Sequence, residues 1–278
     1  MPELPEVETT IRGLQLIVNS AILNVKIHTP KLRFFIPQNI SRIPKGVKFE
    51  SIKRRGKFIL LNLNNNHTVI IHLGMSGRLR LIKINKFKRE KHDHFVLRTN
   101  KDNYLVFNDA RRFGFLDFGK TKDIYKKKYL LNLGQEALES GLTGKYLFSK
   151  ISKSLVPIKQ ILLDQRIIAG IGNIYASEIL FNAKISPLEK GKDLSLKDCR
   201  QLIISTRKIL KKAINAGGST LRDYVSTDGT LGNFQNNFKV YNRAGLKILG
   251  KAIIKIVQYG RSTYYCPDIQ KKNKYLCN

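Results

Sequence analysis

Cysteine is scarce in this chain, with three residues in 278, and acidic residues are heavily outnumbered: twenty Asp and Glu stand against fifty-one Lys and Arg. Three cysteines do not make a disulfide framework at this size, and a reducing intracellular compartment is expected. No run of eighteen apolar residues occurs, so no membrane-spanning helix is predicted. The first residues lack the basic-then-apolar layout of a secretory signal, and no internal repeat is visible. The shortage of carboxylates leaves a net charge of +31. Such an excess favours a polyanionic partner: DNA, RNA or anionic lipid. Abundant Lys, Asn and Ile also accompany an AT-rich genome, and charge does not separate an enzyme from a ribosomal or architectural protein.

What is present is enough for a folded core. At 42% hydrophobic, a chain of this length is expected to form two modest domains or one large one. Apolar Val7, Ile11, Leu14 and Val18 fall close to helical spacing and predict a helix over 6–17. Runs of β character follow at 51–63, 68–73, 78–84, 94–99 and 104–107, separated by turn signals at Asn64-Asn65-Asn66 and Gly74-Met75-Ser76-Gly77. Many short strands predict a β-sandwich. After about residue 130 the pattern changes. Helices are expected over 155–163 and 174–183 around a glycine-rich turn, and over 195–216, with Asp198 placed three after Ser195 as in a capping box. From Phe238 onward β-branched and aromatic residues return, as a hairpin. Lys126-Lys127-Lys128 and Lys271-Lys272-Asn273-Lys274 read as solvated surface. The fold class expected is α+β: an N-terminal β-sandwich domain over 1–130, a helical domain over 131–235 and a C-terminal β-hairpin over 236–278.

The sharpest chemical signal is the start, Met1-Pro2-Glu3-Leu4-Pro5-Glu6-Val7-Glu8. Removal of the initiator Met before a small residue leaves Pro2 with a free secondary amine. An α-amino group titrates near 7.7–8.0, so much of it is unprotonated at neutral pH and can attack a sugar C1′ to form an imine. Glu3 lies beside it, able to move protons on the opened sugar, and Glu6 can anchor or tune the site. A generic Pro-Glu start is more often a disordered acidic terminus; the whole hexapeptide makes the difference here.

That hexapeptide resembles the start of the formamidopyrimidine-DNA glycosylases, bacterial enzymes that remove 8-oxoguanine and ring-opened purines. The resemblance continues through Arg54-Arg55-Gly56-Lys57, His72-Leu73-Gly74-Met75-Ser76-Gly77-Arg78-Leu79, Lys91-His92-Asp93-His94 and Asp109-Ala110-Arg111-Arg112-Phe113-Gly114. It resumes at Ala169-Gly170-Ile171-Gly172-Asn173-Ile174-Tyr175-Ala176-Ser177-Glu178 and Gly260-Arg261-Ser262-Thr263-Tyr264-Tyr265-Cys266-Pro267. It implies a bifunctional DNA glycosylase and abasic-site lyase, a helix–two-turn–helix clamp, a monomer acting on damaged double-stranded DNA, and a cytoplasmic, nucleoid-associated location. The sister branch acting on oxidised pyrimidines begins with a different peptide.

By this resemblance Pro2 is the Schiff-base nucleophile, Glu3 the general acid, Lys57 the lysine that assists β-elimination, and Arg261 the hairpin arginine assigned to δ-elimination. Lys57 is read in a basic strand, where its ammonium meets a phosphate. A guanidinium clamps phosphate well but is a poor proton donor, so binding is the stronger role for Arg261. Met75, Arg111 or Arg112, and Phe113 are candidates to fill the hole left by a flipped base, with Arg111 on the orphaned partner and Phe113 as the wedge. Plain core packing is the alternative for Met75 and Phe113. His72 and His92 match positions near DNA phosphate. His92-Asp93-His94 would put two histidines on one strand face, but a third metal ligand is not obvious. Gly170-Ile171-Gly172-Asn173 is a phosphate-binding layout in which Asn173 also caps the helix. Lys153 sits near a contact lysine of the family, although Ser154 is the aligned residue. Ser219, Thr220 and Tyr224 fall in the stretch that caps the flipped base.

The resemblance also implies a zinc finger at the hairpin, built from two Cys-x-x-Cys pairs, and here the chain departs from it. Only Cys266 of the four remains; Ile269 holds the last place, and Leu246-Lys247-Ile248-Leu249-Gly250-Lys251 replaces the earlier pair. All five histidines precede residue 95, Cys199 lies in the long helix, and Cys277 is at the terminus. No metal and no other cofactor is expected. Structural zinc contributes roughly 10–16 kcal/mol in finger peptides, so an apolar replacement is expected from Ile248, Leu249, Ile253, Ile254, Ile256, Val257, Tyr259 and Tyr264.

Overall fold

The computed structural model describes residues 2–219, 227 and 232–271. Thr220, Tyr224, Cys277 and the cluster from Lys272 to Lys274 lie outside the described residues. The chain divides into two compact units, Met1–Leu131 with Ile214–Gln235, and Asn132–Ala213 with Asn236–Asn278.

Unit 1 is a sandwich of two antiparallel sheets. Helix α1 (Leu4–Leu14) opens it. The strands are β1 (Ile22–Ile27), β2 (Phe49–Arg55), β3 (Phe58–Leu63), β4 (His67–His72), β5 (Arg78–Lys83), β6 (Asp93–Thr99), β7 (Asn103–Asn108) and β8 (Phe115–Lys120). They form two four-stranded sheets, in the orders β1-β6-β7-β5 and β2-β3-β4-β8. The two sheets share one core: Phe95, Leu97, Leu105 and Phe107 come from one, Ile59, Leu61, Val69 and Ile71 from the other. Alternation decides which side chains enter it, because successive residues of a strand face opposite ways. Leu4, Val7, Ile11 and Leu14 make the buried stripe of α1, which packs on β2 and β3. Arg54 Nε donates to Glu8 Oε2 at 2.9 Å and ties the helix to β2.

Two sequence expectations shift. The run 51–63 is two strands, because Gly56 takes a left-handed φ of 55° and turns the chain. Lys57 therefore sits in that turn and not in a strand. The sequence reading also lacked β1 and β8, whose residues alternate less cleanly. A short helix, α2 (Lys128–Leu131), closes the segment.

Unit 2 is helical with a terminal hairpin. The two-residue strands β9 (Gln135–Glu136) and β10 (Ile168–Ala169) pair in parallel. Helices α3 (Gly144–Ile151), α4 (Ile158–Leu163), α5 (Asn173–Ala183) and α6 (Leu196–Asn215) carry the core; the last two residues of α6 are counted with unit 1. The expected capping box of α6 is formed: Ser195 N donates to Asp198 Oδ2 at 2.9 Å and Asp198 N to Ser195 Oγ at 3.2 Å. The chain ends in the short pair β11 (Lys247–Ile248) with β12 (Lys251–Ala252) and the hairpin β13 (Ile254–Gln258) with β14 (Arg261–Tyr265).

The hairpin is held only in part by the apolar set expected from sequence. Leu249, Val257 and Tyr259 are exposed, and of that set only Ile253 is fully buried. Alternation along β13 and turn geometry at Leu249 and Tyr259, both at positive φ, turn those three outward. Ile248, Ile254, Ile256 and Tyr264 are half-buried, and the Tyr264 ring packs edge-on to Tyr241 at 5.1 Å. Polar contacts add to this packing. Thr263 Oγ1 donates to Gln258 Oε1 at 2.8 Å. Gln270, also buried, accepts from Cys266 N at 2.9 Å and donates to Ile185 O at 3.0 Å.

Candidate active site and nucleic-acid interface

In unit 1 the N-terminus is fixed, not frayed. Pro2, Glu3 and Glu6 are buried, with Glu3 and Glu6 each 1% exposed. Glu3 is the N-cap of α1, and it forms a reciprocal capping box with Glu6: Glu3 N donates to Glu6 Oε2 at 2.9 Å. The other oxygen of the same carboxylate accepts from Ser219 N at 2.7 Å and Ser219 Oγ at 3.0 Å. Glu6 thus anchors two chain segments more than two hundred residues apart. Gly218 permits this, since it has φ +79° and a Cβ there would come within 3.0 Å of Glu6 Oε1. Ser219, a candidate in the stretch over a flipped base, is buried against Glu6.

Lys57 is 8% exposed and neighbours His72, whose pKa is lowered to about 4 by burial and then by the charges of Lys57 and Arg33. The His72 ring stacks on Phe115 at 5.5 Å. Its Nδ1 accepts from Gly74 N at 3.1 Å, which leaves the proton on Nε2. His72 is thus a neutral donor with two cations at its side, an arrangement suited to a phosphate.

The candidates for filling a base vacancy lie on two turns that the fold brings together. Met75 and Ser76 are in the β4–β5 turn, Asp109 to Gly114 in the β7–β8 turn. Gly74 (φ +64°) faces Gly114 so closely that a Cβ would lie 2.3 Å from Gly114 N. Ser76 Oγ donates to Asp109 Oδ1 at 2.6 Å and accepts from Arg111 N at 3.1 Å; Gly114 N donates to Asp109 Oδ2 at 2.8 Å. Phe113 is 46% exposed, with the Arg111 guanidinium 5.0 Å over its ring, and Met75 is partly buried. Core packing is therefore excluded for Phe113. Ser76 and Asp109 were in plain view in the motifs, but nothing in one sequence pairs them.

His92 lies in the turn before β6 and is partly buried. His94 faces inward, with Nδ1 2.8 Å from Thr29 Oγ1 and Nε2 2.8 Å from Asp109 O. The His92 and His94 rings lie 6.4 Å apart between centroids, on the same side as the sequence suggests, but both nitrogens of His94 are engaged. Among the described residues no group of three or more His, Cys, Asp or Glu is placed to hold a metal ion.

In unit 2 the turn before α5 is built by Gln165, which donates to Ile171 O at 2.8 Å and accepts from Gly170 N at 2.9 Å. Gly172, not Asn173, is the N-cap of α5. Asn173 instead spends its side chain on the hairpin: Nδ2 donates to Ser262 O at 3.0 Å and Oδ1 accepts from Lys159 Nζ at 2.7 Å. Lys159, fully buried, also donates to Ser262 O at 3.0 Å and Thr263 Oγ1 at 2.7 Å. Asn173 and Arg261, 88 positions apart in the chain, are held near one another through Ser262. Arg261 itself is exposed, as is Lys153, which follows α3. Ser154, the aligned neighbour, accepts from Val156 N at 3.2 Å. The sequence reading missed Lys159; a lysine on the apolar face of a helix is the signal that could have found it.

A β-sandwich carrying the chain's own N-terminus, together with helices that meet a terminal hairpin through Lys159 and Asn173, is the architecture of the helix–two-turn–helix DNA-binding class. The model of the formamidopyrimidine-DNA glycosylase N-terminal domain matches residues 1–116, and that of the formamidopyrimidine-DNA glycosylase H2TH domain matches residues 133–225. A formamidopyrimidine-DNA glycosylase of Zymomonas mobilis is 45% identical over 98% of this chain and 100% of its own. Among solved structures, a mutant Lactococcus lactis FPG in complex with a Fapy-dG-containing DNA superposes with a TM-score of 0.89, at 35% identity over 98% of this chain and 100% of that one. The wild-type Lactococcus lactis Fpg in complex with an oxidised-pyrimidine-containing DNA gives 0.88 at 34% identity, over 98% and 100%. The chain belongs to the formamidopyrimidine-DNA glycosylase family. No helix among the described residues is long and apolar enough to cross a membrane.

The hairpin residues do not fit a zinc ion. Cys266 is the one cysteine among its described residues and is buried, and no group of three or more His, Cys, Asp or Glu gathers round it there.

Proposed function

We propose that this protein is a bifunctional DNA repair enzyme that excises oxidised purines, 8-oxoguanine and formamidopyrimidines, from double-stranded DNA and then cuts the abasic strand. The observation that carries the reading is the Glu6 clamp, which holds the second and third residues of the chain in one buried position. With Met1 removed, Pro2 becomes a secondary amine at the N-terminus of α1. The positive end of the helix dipole disfavours its protonation, adding to the low basicity of an α-amino group. The amine attacks C1′ of the damaged nucleoside. The glycosidic bond breaks, the base departs with the bonding pair and a proton, and the sugar ring opens to an iminium. Glu3 carries the protons of ring opening. Loss of a C2′ proton expels the 3′ phosphate, a second elimination expels the 5′ phosphate, and water then frees Pro2.

Lys57 holds phosphate and assists β-elimination; Arg261 clamps phosphate at the hairpin. His72, His92, Lys153 and Asn173 contact the DNA backbone, Arg111 reads the orphaned base, and Met75 and Phe113 fill the vacancy. Glu6 positions Glu3. We read residues 1–130 as the catalytic domain, 131–235 as the DNA-binding domain and 236–278 as a hairpin that works without zinc, and the protein as a cytoplasmic monomer. A second reading, excision of oxidised pyrimidines, is favoured by the oxidised-pyrimidine DNA bound to the Lactococcus lactis relative. Borohydride trapping on a duplex panel tests both. A covalent adduct on the 8-oxoguanine duplex that maps to the N-terminal peptide is expected. An adduct at an internal lysine would refute the Pro2 assignment, and adducts formed only on pyrimidine lesions would select the second reading.

A further inference from the structure

The sheet β1-β6-β7-β5 has a second face, turned away from the core. Phe95, Leu97, Leu105 and Phe107 point inward, so Val96, Arg98, Tyr104 and Val106 point outward. Register places Asn24, Arg98 and Tyr104 side by side across β1, β6 and β7, with Lys26 and Val96 paired in the next row. After β5 the chain turns back, and Phe87 packs its ring on Tyr104 at 4.5 Å between centroids. The result is a pocket of about 300 Å³ over this face, lined by Lys26, His28, Phe87, Arg89, Arg98 and Tyr104 with Val96 and Asn24 below.

The charge of its lining is all of one sign. No acidic residue lines it, and Lys26, Arg89 and Arg98 have no ion-pair partner among the described residues. The acids nearest by are already engaged: Glu90 pairs with Arg78 and Arg80, and Asp93 with Arg80 at 2.6 Å. The cations converge closely enough to act on His28, whose pKa is lowered by burial, then by Arg89 and Lys26, against a smaller opposing effect of Asp93. Lys26, Arg89 and Arg98 are exposed, so their side chains are free to close on an anion. Three uncompensated cations around a pair of partly buried rings match a ligand that is both anionic and aromatic.

We infer that this outer-face pocket is a second nucleic-acid site that takes one nucleotide of a single strand, with the base on Phe87 and Tyr104 and the phosphate among Lys26, Arg89 and Arg98. Stacking on aromatic side chains beside a cationic groove is how single strands are held without sequence preference. The volume lies at the lower end of small-molecule pockets, enough for one base and not for a duplex. The site is separate from the Glu6-clamped N-terminus and from the Met75 and Phe113 turns, so its loss leaves base excision intact.

The test uses the full chain saturated with a duplex carrying a tetrahydrofuran abasic analogue. Fluorescent oligo-dT is then titrated in, and free dTMP is measured by equilibrium dialysis. One further equivalent of oligo-dT binds, and 5-iodo-deoxyuridine in that strand cross-links to Phe87 or Tyr104. The Lys26→Glu, Arg98→Glu double variant weakens this binding by at least about tenfold, and Tyr104→Leu by about fivefold or more. Excision from a short 8-oxoguanine duplex, measured on the same samples, is unchanged, which separates this proposal from the catalytic one. Binding of dTMP as tightly as a strand nucleotide identifies the free nucleotide as the source; binding of the strand alone identifies nucleic acid. The inference is overturned if no second equivalent binds, if cross-links map elsewhere, if inorganic phosphate competes as well as dTMP, or if further duplex competes and single strands do not. Unfolding midpoints equal to the parent's confirm that the variants are folded; if they differ, the cross-link map on the unaltered protein decides.

Discussion

Ser76→Ala removes a single hydroxyl, yet that hydroxyl joins the two turns proposed to enter DNA. Ser76 is 6% exposed and Asp109 fully buried. The bond from Ser76 Oγ to Asp109 Oδ1 is 2.6 Å, the usual length of a charge-assisted hydroxyl–carboxylate bond, which contributes about 1.5–3 kcal/mol. The bond from Arg111 N, at 3.1 Å, is neutral and adds about 1 kcal/mol. Asp109 keeps Gly114 N at 2.8 Å, so the pocket does not collapse. A destabilisation of about 3 kcal/mol is expected, seen as a lower urea midpoint at unchanged slope. The catalytic consequence is selective. Arg111 and Phe113 lose their fixed relation to Met75, and excision of 8-oxoguanine from duplex slows by about a hundredfold, the cost of misplaced groups. Cleavage of a preformed abasic site, where no base has to be expelled, is slowed much less. A loss below about 1 kcal/mol, or equal slowing on both substrates, would show that the Ser76–Asp109 link does not position these turns.

Glu3→Gln abolishes most base removal while leaving duplex binding near the parent level, checked by single-turnover excision beside a binding titration. Phe113→Ala and Met75→Ala slow excision more than abasic-site cleavage; equal losses on both substrates count against the void-filling roles. Arg261→Ala weakens DNA binding and flattens the dependence of log K on log salt by about one unit, and an unchanged slope rules out an ionic contact at the hairpin. His72 titrates at about 4, below the usual histidine range, so the unfolded chain binds more protons between about 6.5 and 4. The contribution of His72 is complete above about 6.5 and falls, by up to about 3 kcal/mol, as pH drops toward 4. In His72→Phe this part of the acid slope disappears, and an unaltered slope contradicts the buried neutral form. Elemental analysis finds no stoichiometric zinc and chelation leaves activity intact; one tightly held equivalent would overturn the zincless hairpin.

Much of the outline was legible because it rests on local chemistry. Alternating apolar residues make most of the sandwich strands, the Ser195 and Asp198 pair starts the long helix, and glycines mark the turns. Candidate residues were legible where a motif sets them in a row, as at Pro2 and Glu3 or Arg111 and Phe113. The absence of cysteine from three of the four places where the resemblance implies one can be counted once those places are known. Local rules failed where the alternative was equally local. Lys57 reads as strand until Gly56 is seen at positive φ, and Asn173 is a sound N-cap until its amide is found on Ser262 O. The apolar hairpin residues were expected to bury themselves, but alternation and turn geometry expose Val257 and Tyr259.

By itself, then, the sequence determined the nucleophile candidate, most of the strands and helices, the excess positive charge and the scarcity of cysteine. Each depends on residue identity or on spacing along a few turns of chain. Only the tertiary structure decided which distant groups share a proton or a charge. Glu6 with Ser219, Ser76 with Asp109, Lys159 with Ser262, and Lys26 with Arg98 beside Tyr104 are all non-local pairs. Closing such pairs requires the whole sandwich or the whole helical unit to be folded, because a buried carboxylate or ammonium is stable only when its partners are brought to it.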